Sequence, residues 1–320
     1  MKDSDVRKGS DVKKGSGAGK EFGVTGEDGW RKKTASILLP FAVYFVAHDL
    51  ASVLFAFLVG VGRNVFGEGY WGFVEEHSAS VHGILNGLSL CTGMAAVWLL
   101  AKGEVRRGLC GAERRKDGNM CKDARFFHGT GVRWADYALL VVCAAALAVG
   151  MNLLLTLTGL TGMSENYTEI SARQYGVPFW LGLLLYGVVS PVAEETVFRG
   201  VIYQRMRRYF RAMPAVLLCG ILFGFYHGNL VQGVYGCVLG IAITLVCEWY
   251  GSLWASVLFH GAANTAVFAV SYGKEAFGGA AAPVWCAGLL MAAAAAGIFM
   301  GKMRCGKGEG FGNGKGSEKM

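Results

Sequence analysis

Charge is what this sequence has least of: acidic and basic residues together fill 17% of its 320 positions, while 53% are hydrophobic. Several apolar runs reach the roughly 20 residues that cross a bilayer, so the chain reads as an integral membrane protein. Thiol chemistry is missing too. The nine cysteines, an odd number, show no CxxC pair and no metal-ligand spacing, and Cys91, Cys143, Cys219, Cys237, Cys247 and Cys286 sit inside apolar runs. They read as small core residues, with no disulfide framework. The helical HExxH of soluble zinc proteases is absent, and no serine or cysteine has the context of a nucleophile. A cleaved secretory leader is a poor fit, because the charged lead is too long and the first apolar run, Ala35 to Gly60, is long enough to span. The net charge of +8 does not point to nucleic acid, because the basic residues fall between apolar runs, as in loops facing the cytoplasm.

What is present is a series of spans. Residues 1–34 are polar and rich in Gly and Lys, and are expected to form a disordered basic cytoplasmic tail. N-terminal transmembrane helices follow over 35–160, within which 81–101 and 134–160 are separate runs. Residues 177–271 hold four more, at 177–199, 214–230, 233–250 and 253–271. A last helix covers 283–301, and 302–320 is a second basic cytoplasmic tail. The expected fold is all-α, a polytopic helical bundle of about eight transmembrane helices, since lipid offers the backbone no other partners. Lys and Arg crowd both tails, the loop 102–133 and the segment 205–211, which sets both termini in the cytoplasm. His48-Asp49, near the middle of the first run, reads as a buried pair satisfied by a neighbouring helix.

Chemistry concentrates at Pro191-Val192-Ala193-Glu194-Glu195-Thr196-Val197-Phe198-Arg199. Ionisable side chains at membrane depth are costly and are functional candidates by default. Residues four apart share a helix face, so Glu195 lies over Arg199, while Glu194 points elsewhere with no partner on its own helix. Pro191 is expected to kink or open the helix just before the glutamates. Later runs carry Phe223 and His227, then His260 and Asn264, the last two again four apart, with Gly224, Gly228 and Gly261 allowing close helix approach. A carboxylate out of water suits taking a proton from water near neutral pH, and His or Asn donors suit an oxyanion. Two His and one Glu are equally a zinc-type ligand set.

Glu194-Glu195-x-x-x-Arg199, Phe223-x-x-x-His227 and His260-x-x-x-Asn264, each in its own apolar run and in this order, resemble the motifs of the CPBP family, also called the Abi or CAAX-protease family. That family includes type II CAAX prenyl endopeptidases and bacterial bacteriocin-processing or self-immunity proteins. The resemblance covers about 177–271. It implies an intramembrane metalloendopeptidase in which Glu194 activates water and Glu195 and Arg199 hold the site in shape. It further implies that His227, His260 and Asn264 bind the water, a metal or the oxyanion. Whether a divalent metal, zinc held by Glu194, His227 and His260, takes part or the glutamate acts alone stays open. The expected partners are membrane lipid and a membrane-associated protein or peptide substrate, the expected place a bacterial plasma membrane, and the cavity is expected to open toward the cytoplasm. A non-catalytic scaffold or immunity protein and a proton-coupled transporter are the rival readings. The transporter fits less well, because the polar motifs crowd into one half of the chain.

Overall fold

The computed structural model describes residues 26–110, 124–125, 128–129, 134–272 and 279–305. Ten helices carry the architecture: α1 (Gly26–Phe66), α2 (Glu68–Glu76), α3 (Ser78–Cys110), α4 (Trp134–Leu157), α5 (Glu165–Tyr175), α6 (Phe179–Tyr209), α7 (Ala212–Tyr226), α8 (Leu230–Tyr250), α9 (Leu253–Tyr272) and α10 (Ala282–Cys305). Ala124–Arg125 and His128–Gly129 form a two-residue antiparallel ladder. Among the described residues seven helices are long and apolar enough to cross a membrane, and α7 is a shorter apolar helix of 15 residues. The protein is thus a multi-pass helical membrane bundle. Helix begins at Gly26, so the expected tail over 1–34 is helical in its last residues; 1–25, most of the basic loop after α3 and 306–320 lie outside the described residues.

Two apolar cores divide the bundle. One gathers Tyr44 of α1, Leu90 and Val97 of α3, Phe198 and Ile202 of α6 and Phe223 of α7. The other gathers Leu140 of α4, Ile243 of α8, Phe259 of α9 and Met300 of α10. Helix α6 runs between them, and its backbone is not a uniform α-helix. It widens into a π-turn at Leu185–Val189 and again at Phe198–Tyr203. Pro191 explains the first. Its ring would strike the carbonyl four residues back, and it brings no N–H to the ladder. The chain yields by adding a residue to the turn, and the Ser190 N–H reaches back five residues to the Leu185 carbonyl.

Glycines set the closest contacts. A Cβ at Gly224 of α7 would stand 2.5 Å from the Gly233 carbonyl oxygen of α8, and one at Gly261 of α9 would stand 2.6 Å from the Gly187 carbonyl oxygen of α6. Close helix approach at these two glycines is therefore as the sequence suggests. Gly228 differs: nothing lies near it, and its φ of +71° turns the chain out of α7. His227 accordingly caps α7 rather than lying inside a span. The described cysteines are free thiols. Cys143, Cys219 and Cys286 lend their S–H to carbonyls of neighbouring helices. At the basic end Glu248, in the last turn of α8, accepts from the Tyr203 hydroxyl at 2.6 Å and from Arg207 at 3.0 Å, which latches α6 to α8.

Gly182 gives the fold a direct test. A Cβ there would overlap the Phe268 ring, which is itself buried. Gly182→Ala is expected to cost about 1–3 kcal/mol by overpacking. Thermal unfolding in detergent should show the loss, and Phe268→Leu added to Gly182→Ala should recover part of it.

Candidate active site

Arg199 organises the centre. Its side chain is fully enclosed between the two cores, and every face of the guanidinium is used. Nη1 donates to Glu195 Oε1 at 2.7 Å, Nη2 to the Gly240 carbonyl at 2.8 Å and Nε to Thr244 Oγ1 at 3.2 Å. The flat face lies over the Phe223 ring, 4.6 Å from its centroid. One cation thus ties α6 to α7 and α8. Glu195 extends the tie to α9, because the same Oε1 accepts from His260 Nδ1 at 2.8 Å. An ionised carboxylate only accepts, so His260 carries a proton on Nδ1, and in the neutral ring Nε2 is a lone pair.

That nitrogen faces Glu194. His260 Nε2 and Glu194 Oε2 are 3.9 Å apart, with both side chains buried. The other Glu194 oxygen accepts from Ser190 Oγ at 2.6 Å, one turn back on α6. Glu194 therefore has no cation bonded to it, as the sequence spacing suggests, but it is anchored by a serine that the spacing did not assign. The 3.9 Å gap is too wide for a direct hydrogen bond and suits one water accepted by both groups.

Asn264 has a different first duty from the one the resemblance implies. In the π-register of α6 the Tyr186 carbonyl would take its hydrogen bond from residue 191, and a proline has none to give. Asn264 Nδ2 supplies it at 3.1 Å from the next helix. His227 lies across Phe223 from this arrangement. Its Nδ1 donates to the Phe223 carbonyl at 2.8 Å, and the Phe223 ring meets both imidazoles edge-on, at centroid distances of 4.9 Å for His227 and 5.6 Å for His260.

The tautomers of both histidines would suit metal ligation through Nε2. The ligand set does not assemble, however. Among the described residues no three His, Cys, Asp or Glu side chains converge to hold a metal ion. Glu194 and His260 face each other, whereas His227 is held to its own helix end by the Phe223 carbonyl. The expected Glu194, His227 and His260 are thus not gathered as three ligands in this structure, and no chemical step below passes through a metal.

Residues 176–266 match the family model of type II CAAX prenyl endopeptidase Rce1-like proteins. That segment is similar to the CAAX-protease family. It spans all of α6, α7 and α8 and the site half of α9, so every motif residue falls within it, while α1 to α5 and α10 lie outside. No curated protein and no solved structure matches the chain.

Two expectations about the surroundings change. Helix α6 continues to Tyr209, so the glutamates stand at the middle of a 31-residue helix, not near its basic end. A polar cavity of about 70 Å³, walled by Asn152, Tyr167, Gln174, Gln232 and Asn264, lies at the α5 end, away from the basic segments. The larger apolar groove at the basic end, about 430 Å³ between α1, α6 and α7, includes Trp30, Lys33 and Phe225 but none of the motif residues. Finally, Asp49 is not buried: its side chain is 52% exposed on α1 and bonds its neighbour His48 at 2.9 Å.

Two substitutions separate framework from chemistry. Arg199→Ala would leave Glu195 buried without its cation, at a cost of about 3–5 kcal/mol. A lower melting temperature and reduced yield are expected, and an unchanged melting temperature would remove Arg199 from the framework. Asn264→Leu would strand the Tyr186 carbonyl, at about 1–3 kcal/mol. Wild-type stability for that variant would show that Asn264 serves the reaction alone.

Proposed function

We propose that this chain is an intramembrane endopeptidase that hydrolyses a peptide bond of a membrane-associated protein or peptide, with Glu194 activating the water. The observation that carries this reading is the facing of Glu194 and the acceptor nitrogen of His260 inside a buried framework that leaves Glu194 without a bonded cation. A water held between the two gives one hydrogen to each acceptor, and its oxygen lone pair is left for the scissile carbonyl. As the C–O bond forms, Glu194 takes the proton; as the C–N bond breaks, it returns that proton to the departing amine. The immediate products are a carboxylic acid and an amine, and the acid then gives up its proton to solvent or to the amine. Glu195, pinned by Arg199, fixes the His260 tautomer throughout. The match to a family of type II CAAX prenyl endopeptidases supports a peptide substrate. A C-terminal prenylated substrate applies if the source cell prenylates proteins. We read the basic segments as cytoplasmic, with the cavity at the α5 end on the opposite face. Metal analysis of the purified protein, with cleavage followed with and without chelator, reports whether an ion joins Glu194 and His260.

Glu194→Gln keeps the shape of the side chain but not its basicity. Cleavage in nanodiscs is expected to fall by about 10² to 10⁴, with little change in melting temperature. Near-normal cleavage would overturn the hydrolytic reading and favour a scaffold or a transporter.

A further inference from the structure

The groove at the basic end, between α1, α6 and α7, holds none of the motif residues, so the hydrolytic reading gives it no work. Its volume of about 430 Å³ falls inside the range of about 300–1,000 Å³ typical of small-molecule sites. Its walls are apolar, with Ile37 and Leu38 of α1, Met206 of α6, and Ile221 and Phe225 of α7 among them. Ile37 and Met206 are buried and form its floor, whereas Leu38, Ile221 and Phe225 are exposed along its sides. Little of the apolar stretch of α1 is buried among the described residues, so the groove opens toward lipid.

One end of the groove is polar. Trp30, Lys33, Thr34 and Tyr209 line it there, and the Lys33 ammonium stands 5.9 Å from the centroid of the Tyr209 ring, across the junction of α1 and α6. From Trp30 the wall runs down α1 to Leu38, a drop of about 12 Å at the helical rise. On α7 it reaches Phe225, in the last turn of a helix that starts at the basic segment. Trp and Tyr gather at the level of the headgroups, so this pair sets the mouth at that level and Phe225 at the depth of the acyl chains.

Charge suits the mouth to an anion. Among the described residues that line the groove Lys33 is the only charged one, and it is exposed. Arg31 and Lys32 precede it, and Arg208 and Arg211 bracket Tyr209 and Phe210 in sequence, which outweighs Glu27 and Asp28 at the start of α1. Two other arginines brace the junction instead: Arg205 donates to the Ser36 carbonyl at 2.7 Å and Arg207 to Glu248 at 3.0 Å. Basic clusters where spanning helices leave a bilayer attract anionic lipid.

We infer that this groove is a binding site for one anionic diacyl phospholipid, its phosphate met by Lys33 at the mouth and an acyl chain laid along Leu38, Ile221 and Phe225. A zwitterionic lipid brings the same chains, but its own ammonium meets the basic rim, so the headgroup decides occupancy. The bound lipid joins α1, outside the family-matched segment, to α6 and α7 within it. Its occupancy is independent of the hydrolytic reading.

Native mass spectrometry of the full chain in detergent, titrated with phosphatidylglycerol or with phosphatidylcholine of the same acyl chains, tests the site. One phosphatidylglycerol is expected to be retained in preference to phosphatidylcholine. Lys33→Gln should weaken its retention by about fivefold, the worth of one basic residue at an anionic surface, and Lys33→Arg should keep it. Ile221→Trp, which fills the groove, should abolish it, whereas Leu99→Trp, at an exposed position of α3 outside the groove, should not. Melting temperatures without added lipid show that each variant is folded. Equal retention of the two lipids, or full retention by Lys33→Gln, overturns the headgroup assignment. Full retention by Ile221→Trp, or equal loss in Leu99→Trp, overturns the groove. Displacement of the lipid by an equal concentration of a prenylated peptide gives the groove to a substrate chain and overturns the proposal.

Discussion

The enclosed Arg199–Glu195 pair is the interaction on which this architecture depends. An unpaired charge at this depth would be intolerable, and a pair alone still has donors and lone pairs to satisfy. Here the guanidinium is met from other helices through Gly240, Thr244 and Phe223, and Glu195 Oε1 takes His260 as well, while Glu195 Oε2 is buried with no hydrogen-bond partner. The network joins four helices at the seam between two apolar cores. It also assigns the neighbouring carboxylates opposite duties. Glu195 is consumed by structure, and Glu194, one residue earlier and about 100° around the helix, is left with a serine and an open imidazole nitrogen.

Proline and asparagine form the second constraint. Pro191 widens α6 into a π-turn just before the glutamates, which leaves the Tyr186 carbonyl without a donor on its own helix. Asn264 repairs that deficit from α9, and Gly261, on the same helix, admits the Gly187 carbonyl at close range. The wide turn and its repair fix the height of α9 against α6, and so the approach of His260 to both glutamates. A residue that resemblance alone would assign to the reaction is therefore committed first to the backbone.

Much of this was legible in the sequence, for physical reasons. Apolar runs of spanning length gave the helices, because lipid leaves the backbone no alternative. The four-residue spacing of Glu195 and Arg199 gave the ion pair, and the family-like order of three motifs pointed to the residues around it. Pairings across helices were not legible. Nothing in the spacing shows that Gly240 and Thr244 receive Arg199, or that His227 ends α7. Ser190, four residues before Glu194, was within reach of the same spacing argument. Asp49 misled because an acid inside an apolar run implies burial, whereas α1 turns it outward beside His48.

The division of labour between the two glutamates is the central claim, and the melting temperature of Glu195→Gln beside that of Glu194→Gln, both in nanodiscs, tests it most directly. A clear fall for Glu195→Gln, which keeps an acceptor oxygen but removes the negative charge that offsets the buried Arg199, with Glu194→Gln left near wild type, is the result this account requires. Equal melting temperatures, or a larger fall at Glu194, would contradict it.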